Sequence, residues 1–212
     1  MIILKYCSST MFSCNTFFIF NDKSNVICVD PGDNSANFIK FITENDLKIK
    51  AILLTHGHFD HIRGLKTLIN LFGNIPVVIN ENDLKLLFDN DLNCFNDFDI
   101  NSFEHISENY ENFVLTNNDE QIDLLNFKIN VIFTPFHTEG CNSYYFNNEK
   151  ILFSGDTLFE GTIGRTDLIT SCPKYVNSSL FKLKKLDDDV KVLPGHGENT
   201  TIGDEKINNF YL

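Results

Sequence analysis

The chain has 212 residues, 42% of them hydrophobic and 22% charged, a balance that suits a globular fold with a sizeable core. A net charge of −12 and a pI near 4.8 argue against a protein that grips a phosphate backbone, so no nucleic-acid partner is expected. No stretch approaches the ~20 apolar residues of a membrane span and no basic start leads into a clean apolar run, so no membrane is expected and the cytoplasm is the expected compartment.

Residues 2–6 and 16–20 are short apolar strands, with a turn at 21–25 after the second. Val26-Ile27-Cys28-Val29 is a third, ending sharply at Asp30-Pro31-Gly32. The spacing of Phe38, Ile39 and Ile42 predicts a helix over 34–45, and 50–54 is the next strand. That strand runs into Thr55-His56-Gly57-His58-Phe59-Asp60-His61, which holds half of the six histidines. Ile62, Leu65, Leu68, Ile69 and Phe72 then give a helical stripe. A strand is expected at 76–79 and a short helix at 81–89. Residues 91–109 mix Asn, Asp and Phe without period and are expected to be loop or partly helical insertion. Strands return at 122–125, 128–134, 143–146 and 151–154. A helix is expected over 174–186, a last strand at 190–193 and a short helix at 204–209.

Strands thus fall in two groups, each mixing hairpins with helices, rather than in regular βαβ alternation. The expected fold class is α+β: one domain, 1–212, of two mostly antiparallel sheets packed face to face with helices outside. Six cysteines (Cys7, Cys14, Cys28, Cys94, Cys141 and Cys172) form no CxxC pair. A chain of this length needs no disulfide staple, and free, mostly buried thiols are expected.

Chemistry-bearing residues recur where apolar runs stop. His56, His58, Asp60 and His61 follow one run, His137 another, Asp156 a third and His196 a fourth. Rigid strands commonly present functional groups on the loops at their ends. Seven His and Asp residues so placed predict a metal site, and their number allows two ions. His56, His58 and His137 can supply an all-nitrogen set, Asp60, His61 and His196 an oxygen-richer one, and Asp156 a bridge. Imidazole with carboxylate suits zinc, and also iron or manganese. Asp30 is the expected acceptor for the outer N–H of a ligand imidazole.

The segment His56-x-His58-x-Asp60-His61 resembles the HxHxDH signature of the metallo-β-lactamase superfamily. Asp30-Pro31-Gly32, Thr134-Pro135-Phe136-His137-Thr138-Glu139-Gly140, Ser154-Gly155-Asp156-Thr157 and Pro194-Gly195-His196-Gly197 follow the family order. The resemblance covers nearly the whole chain and implies a four-layer αββα sandwich with two divalent metal ions at one edge. The run Gly164-Arg165-Thr166-Asp167 after Asp156 is similar to the short, single-domain glyoxalase II-like hydrolases. Phe136, Glu139 and Arg63 depart from the usual pattern, without removing a ligand.

The resemblance implies a thioester hydrolase acting on S-lactoyl-glutathione or a related small acyl-thiol, with hydroxide activated between two metals as nucleophile. Asp60 is the expected catalytic carboxylate, orienting that nucleophile as well as binding metal. Tyr144 (with Tyr145) and Arg165 are the expected substrate contacts, with a brace between Arg165 and Asp167 as the bland reading of the latter. The competing functions are a persulfide dioxygenase with one Fe(II), an RNA-processing metallo-nuclease and, last, a non-enzymatic metal-binding protein.

Overall fold

The computed structural model describes residues 1–8, 13–20, 25–97 and 104–212. The turn expected at 21–25 falls largely on residues 21–24, and the middle of the irregular stretch on 98–103; both lie outside the described residues. The first six strands form one sheet in chain order: β1 (Ile2–Cys7), β2 (Asn15–Phe20), β3 (Asn25–Val29), β4 (Lys48–Leu53), β5 (Val77–Asn80) and β6 (Phe113–Thr116). The second sheet is built from β7 (Glu120–Leu124), β8 (Phe127–Phe133), β9 (Asn142–Phe146), β10 (Ile151–Gly155), β13 (Lys191–Pro194) and β14 (Thr200–Thr201), in the order β14-β13-β10-β9-β8-β7. A small ribbon pairs β11 (Leu158–Phe159) with β12 (Thr162–Ile163).

Side-chain alternation along the strands produces the layers. Phe17, Ile19, Ile27, Val29, Ala51 and Leu53 face the second sheet and meet Ile129, Val131, Tyr144, Phe146 and Phe153. Their neighbours Phe18, Val26, Cys28 and Ile52 face the other way, onto Phe38 and Ile42 of helix α1 (Ala36–Glu44) and Leu65 and Leu68 of α3 (Leu65–Phe72). Tyr145, Leu152 and Val192 cover the outer face of the second sheet against Leu183 of α4 (Val176–Lys184) and Ile202 of α5 (Ile202–Asn208). Three apolar seams between four layers make the αββα sandwich, since each period-2 strand buries both faces.

Strand direction corrects one expectation. The second sheet is antiparallel except at β10·β13. In the first, β3·β4, β4·β5 and β5·β6 are parallel. The cause is the connections: α1 lies between β3 and β4, and α2 (Phe59–Ile62) and α3 lie between β4 and β5. A crossover through a helix returns the chain in the same direction. The helix expected from residue 62 onward begins three residues earlier and is broken at Arg63-Gly64. There the Gly64 N–H leaves the helix ladder and donates to the Pro31 carbonyl at 2.6 Å.

Cys7, Cys14, Cys28, Cys141 and Cys172 are free thiols, and Cys14, Cys28, Cys94 and Cys141 are buried. Among the described residues, no helix is long and apolar enough to cross a membrane.

Candidate metal centre

The C-terminal ends of β3, β4, β8, β10 and β13 lead to one edge of the sandwich. Asn142 N–H donates to the Thr55 carbonyl at 2.8 Å and Asn15 N–H to the Gly195 carbonyl at 2.7 Å, tying the two sheets together there. After β4 the chain runs extended through His56 and Gly57 to His58, whose φ of −68° and ψ of 147° make it the cap residue before α2. The single turn of α2 then carries Asp60 and His61 back towards the same edge. His137, Asp156 and His196 arrive from the second sheet.

Seven side chains converge as the sequence predicts. His56, His58 and His137 place one ligand-type atom each within 4.8 Å of one another, and so do Asp60, His61 and His196. Asp156 lies between the groups: its Oδ1 is 3.3 Å from His61 Nε2, and its Oδ2 is 3.5 Å from His137 Nε2 and 3.6 Å from His196 Nε2. Asp60 Oδ2 is 3.2 Å from His196 Nε2.

Hydrogen bonds on the outer nitrogens sort the imidazoles. His137 Nδ1 lies 2.9 Å from the Arg165 carbonyl, an acceptor only, so that nitrogen carries the proton and Nε2 turns its lone pair inward. His61 Nδ1 lies 2.9 Å from Asp30 Oδ2, which leaves His61 Nε2 inward. His58 reverses the pattern, with Nε2 3.1 Å from Thr170 Oγ1 and Nδ1 inward. His58 Nδ1 and His137 Nε2 face each other at 3.0 Å. A proton on one of them, or a cation between them, satisfies two ring nitrogens at that distance. His56 Nε2 and Asp156 Oδ1 are buried with no hydrogen-bond partner. Orphaned buried acceptors are costly, and a metal ion is the partner that satisfies several at once. The donor set therefore fits divalent ions.

The electrostatics agree. Burial holds His56 and His137 below the usual imidazole range and brings His58 down to about 3, so all three are neutral donors near pH 7. Burial opposes ionisation of Asp156, but the cationic forms of His196 and His61 more than offset it and keep its carboxyl well below the usual carboxylate range. The imidazoles of the His56, His58 and His137 group are thus in the state a divalent cation requires, whereas at His61 and His196 burial is outweighed by neighbouring anionic groups, so that both are raised and would give up a proton to an ion.

Asp30 sits where the sequence predicts, at the end of β3 with φ of 47°. It accepts from Thr55 N–H at 2.8 Å and Thr55 Oγ1–H at 2.6 Å besides facing His61. The expected tyrosine contact is corrected. Tyr144 is fully buried between the sheets and donates its hydroxyl to the Leu54 carbonyl at 2.7 Å. The alternation of β9 that turns Tyr144 inward turns Tyr145 into the outer seam, so neither lines a binding surface. The exposed Arg165 guanidinium forks onto Asp167 at 2.7 and 2.9 Å, while its backbone carbonyl is what reaches His137.

Sequence reasoning missed Thr170, the partner of His58, which lies far along the chain from any motif. It also missed Asn15, whose amide donates to the carbonyls of Pro194 and Gly197 at 2.9 and 3.0 Å and so holds the His196 turn. Asp83 was hidden because an acid in the first turn of a short helix reads as a dipole partner.

A cavity of about 240 Å³ opens beside His196, lined by Phe159, Glu160, Thr162, Gly197 and Glu198 as well. A larger one of about 600 Å³ lies behind the His137 loop, between Phe133, Pro135 and Tyr175, and none of the seven converging residues lines it.

Two helix-covered mixed sheets with seven His and Asp side chains at one edge define a metallo-hydrolase. The chain belongs to the metallo-β-lactamase superfamily, whose family profile it matches over residues 9–196. Among curated relatives it is 35% identical to the hydroxyacylglutathione hydrolase GloC of Haemophilus influenzae, over 96% of this chain and 94% of that one. Among solved structures it superposes on the BLEG-1 B3 metallo-β-lactamase with a TM-score of 0.89 at 32% identity, each chain covered to 99%. It also superposes on TTHA1623 in a di-iron-bound form, with a TM-score of 0.81 at 28% identity over 99% of this chain and 100% of that one.

Proposed function

We propose that this protein is a thioester hydrolase of the glyoxalase II-like type, using two divalent metal ions, zinc in the first place, and taking S-lactoyl-glutathione or a related small acyl-thiol. The observation that carries the reading is the pair of three-residue groups joined by Asp156. The thioester part is supported by the likeness to a relative named as a hydroxyacylglutathione hydrolase along almost its whole length.

In this reading His56, His58 and His137 would hold one ion and Asp60, His61 and His196 the other, with Asp156 placed to serve both. Bound there, the ions supply Lewis acidity, which lowers the pKa of water to about 7 and polarises a carbonyl. The chain's own groups do the rest. Asp60, partly exposed beside His196, accepts a hydrogen bond from the attacking water and aims it at the thioester carbon. The water oxygen bonds to the carbonyl carbon and loses its proton to solvent beside Asp60; the tetrahedral adduct then breaks its C–S bond, and the thiolate departs without a dedicated general acid. Phe159 stands 6.2 Å from His196, ring centre to ring centre, and offers an apolar wall at the more exposed half.

The likeness to a B3 metallo-β-lactamase favours β-lactam hydrolysis as the second reading, because the same nucleophile attacks an amide carbonyl. The test is turnover of S-lactoyl-glutathione, a chromogenic cephalosporin and glutathione persulfide by metal-analysed protein. The expected result is thioester cleavage far above both others. Cephalosporin cleavage without thioester cleavage selects the second reading. One bound iron with oxygen uptake on the persulfide overturns both.

A further inference from the structure

Among the described residues, one buried carboxylate belongs to no ligand group and has no ion-pair partner, yet touches both loops of the all-nitrogen group. Asp83 is fully buried in the 3-10 helix Glu81–Leu87, which follows β5 directly. Its Oδ2 accepts from the Gly57 N–H at 3.0 Å and from the Thr138 hydroxyl at 2.7 Å. Its Oδ1 accepts from the Gly140 N–H at 2.8 Å. Gly57 separates His56 from His58, and Thr138 and Gly140 follow His137.

Packing repeats the pattern. A Cβ on Gly57 would meet Leu86 Cβ at 2.6 Å, and a Cβ on Gly140 would meet Asp83 Oδ1 at 2.5 Å. The short helix therefore lies directly on both loops, and only residues without side chains fit beneath it. Cys141 completes the cradle, with Sγ 3.0 Å from Thr138 Oγ1 and 3.3 Å from Thr138 N.

We infer that Asp83 is the positioning residue of the His56, His58 and His137 group: it locks the two loops in one register, so that three imidazoles from different sheets present their nitrogens to one ion. Asp30 does the corresponding work for His61 on the other side. The inference rests on the metal-centre reading above. It goes further by assigning each half its own buried carboxylate, one bonded to a ligand ring and the other to ligand loops.

The cost of keeping Asp83 argues for a role beyond stability. Burial pushes its carboxyl up to about 6 despite three hydrogen bonds. A buried charge without a cation destabilises a fold. Here it satisfies three donors that converge from both ligand loops.

The test measures ion retention in the full-length protein, against a graded chelator, with one half disabled at a time. His196→Ala leaves the three-imidazole group intact, and His58→Ala leaves the Asp60, His61 and His196 group. Adding Asp83→Asn is expected to weaken zinc retention about 10–100-fold in the His196→Ala background. In the His58→Ala background retention should hold within about twofold. If Asp83→Asn does not fold, Thr138→Val is expected to show the same one-sided loss in smaller measure, and Thr138→Ser to restore it. Equal losses in both backgrounds, or none in either, overturn the assignment of Asp83 alone. A wild-type protein that retains no ion overturns the metal-centre reading as well.

Discussion

The two halves of the centre are built differently. The His56, His58 and His137 half is nearly sealed, with none of the three more than 4% exposed. The other half is open, with the side chain of His196 28% and that of Asp60 17% exposed. The sealed half is held through its backbone loops by Asp83, and the open half through a direct contact from Asp30 to a ligand ring. A sealed all-nitrogen site is suited to holding an ion rigidly. An open one with a carboxylate at its rim can hold an ion and still admit substrate. In the proposed mechanism burial and reactivity are divided between the halves, and Asp156 is the joint.

The largest effect is expected at that joint. Asp156→Ala removes the only carboxylate among the described residues that approaches His137, His61 and His196 together. Thioester turnover should fall to the detection limit in a steady-state assay at saturating zinc. Near-normal turnover would show that the halves work independently. Next comes Asp30→Asn, which puts an amide opposite His61 Nδ1 and the Thr55 N–H and hydroxyl. Because Thr55 also contacts His56 Nδ1 at 3.1 Å, some effect reaches the sealed half through it. The main loss, about 10–100-fold in retention of an ion, should fall on the open half. If chelator titration in the two single-half backgrounds finds the sealed half hit harder, the division between Asp30 and Asp83 fails.

The fold was legible where side chains alternate and the site where apolar runs stop. All seven converging residues follow strands, and a strand end fixes direction well enough for linear sequence to reveal a three-dimensional cluster. Parallel pairing in the first sheet was not legible, because periodicity reports which face is buried and not which neighbour runs alongside. Strand β6 was missed because Phe113-Val114-Leu115-Thr116 is short, follows an irregular stretch and lies at a sheet edge with Val114 and Leu115 exposed. The supporting residues escaped for a different reason. Thr170 reaches His58 across 112 positions of chain, and Asp83 reaches Gly57 across 26 and Thr138 across 55. No local pattern marks such a contact.

Tyr144 offers the smallest effect and the sharpest check on how aromatics near a motif are read. It was an expected substrate contact, but its hydroxyl is committed to the Leu54 carbonyl, one residue before the loop that carries the histidines. Tyr144→Phe keeps the ring, so the seam between the sheets with Phe146 and Phe153 stays filled. What is lost is one buried hydrogen bond, worth about 1 kcal/mol of unfolding free energy. The expected outcome is that loss in urea denaturation with KM for the thioester unchanged. A residue that held substrate would do the opposite, raising KM while leaving stability nearly intact. Since Leu54 is also fixed by its own N–H to the Val78 carbonyl at 2.9 Å, the histidine loop should keep its register without the tyrosine hydroxyl. Two-ion occupancy in the Phe variant would then confine Tyr144 to the fold, and leave the open half, around Asp60, His196 and Phe159, as the surface on which the substrate is chosen.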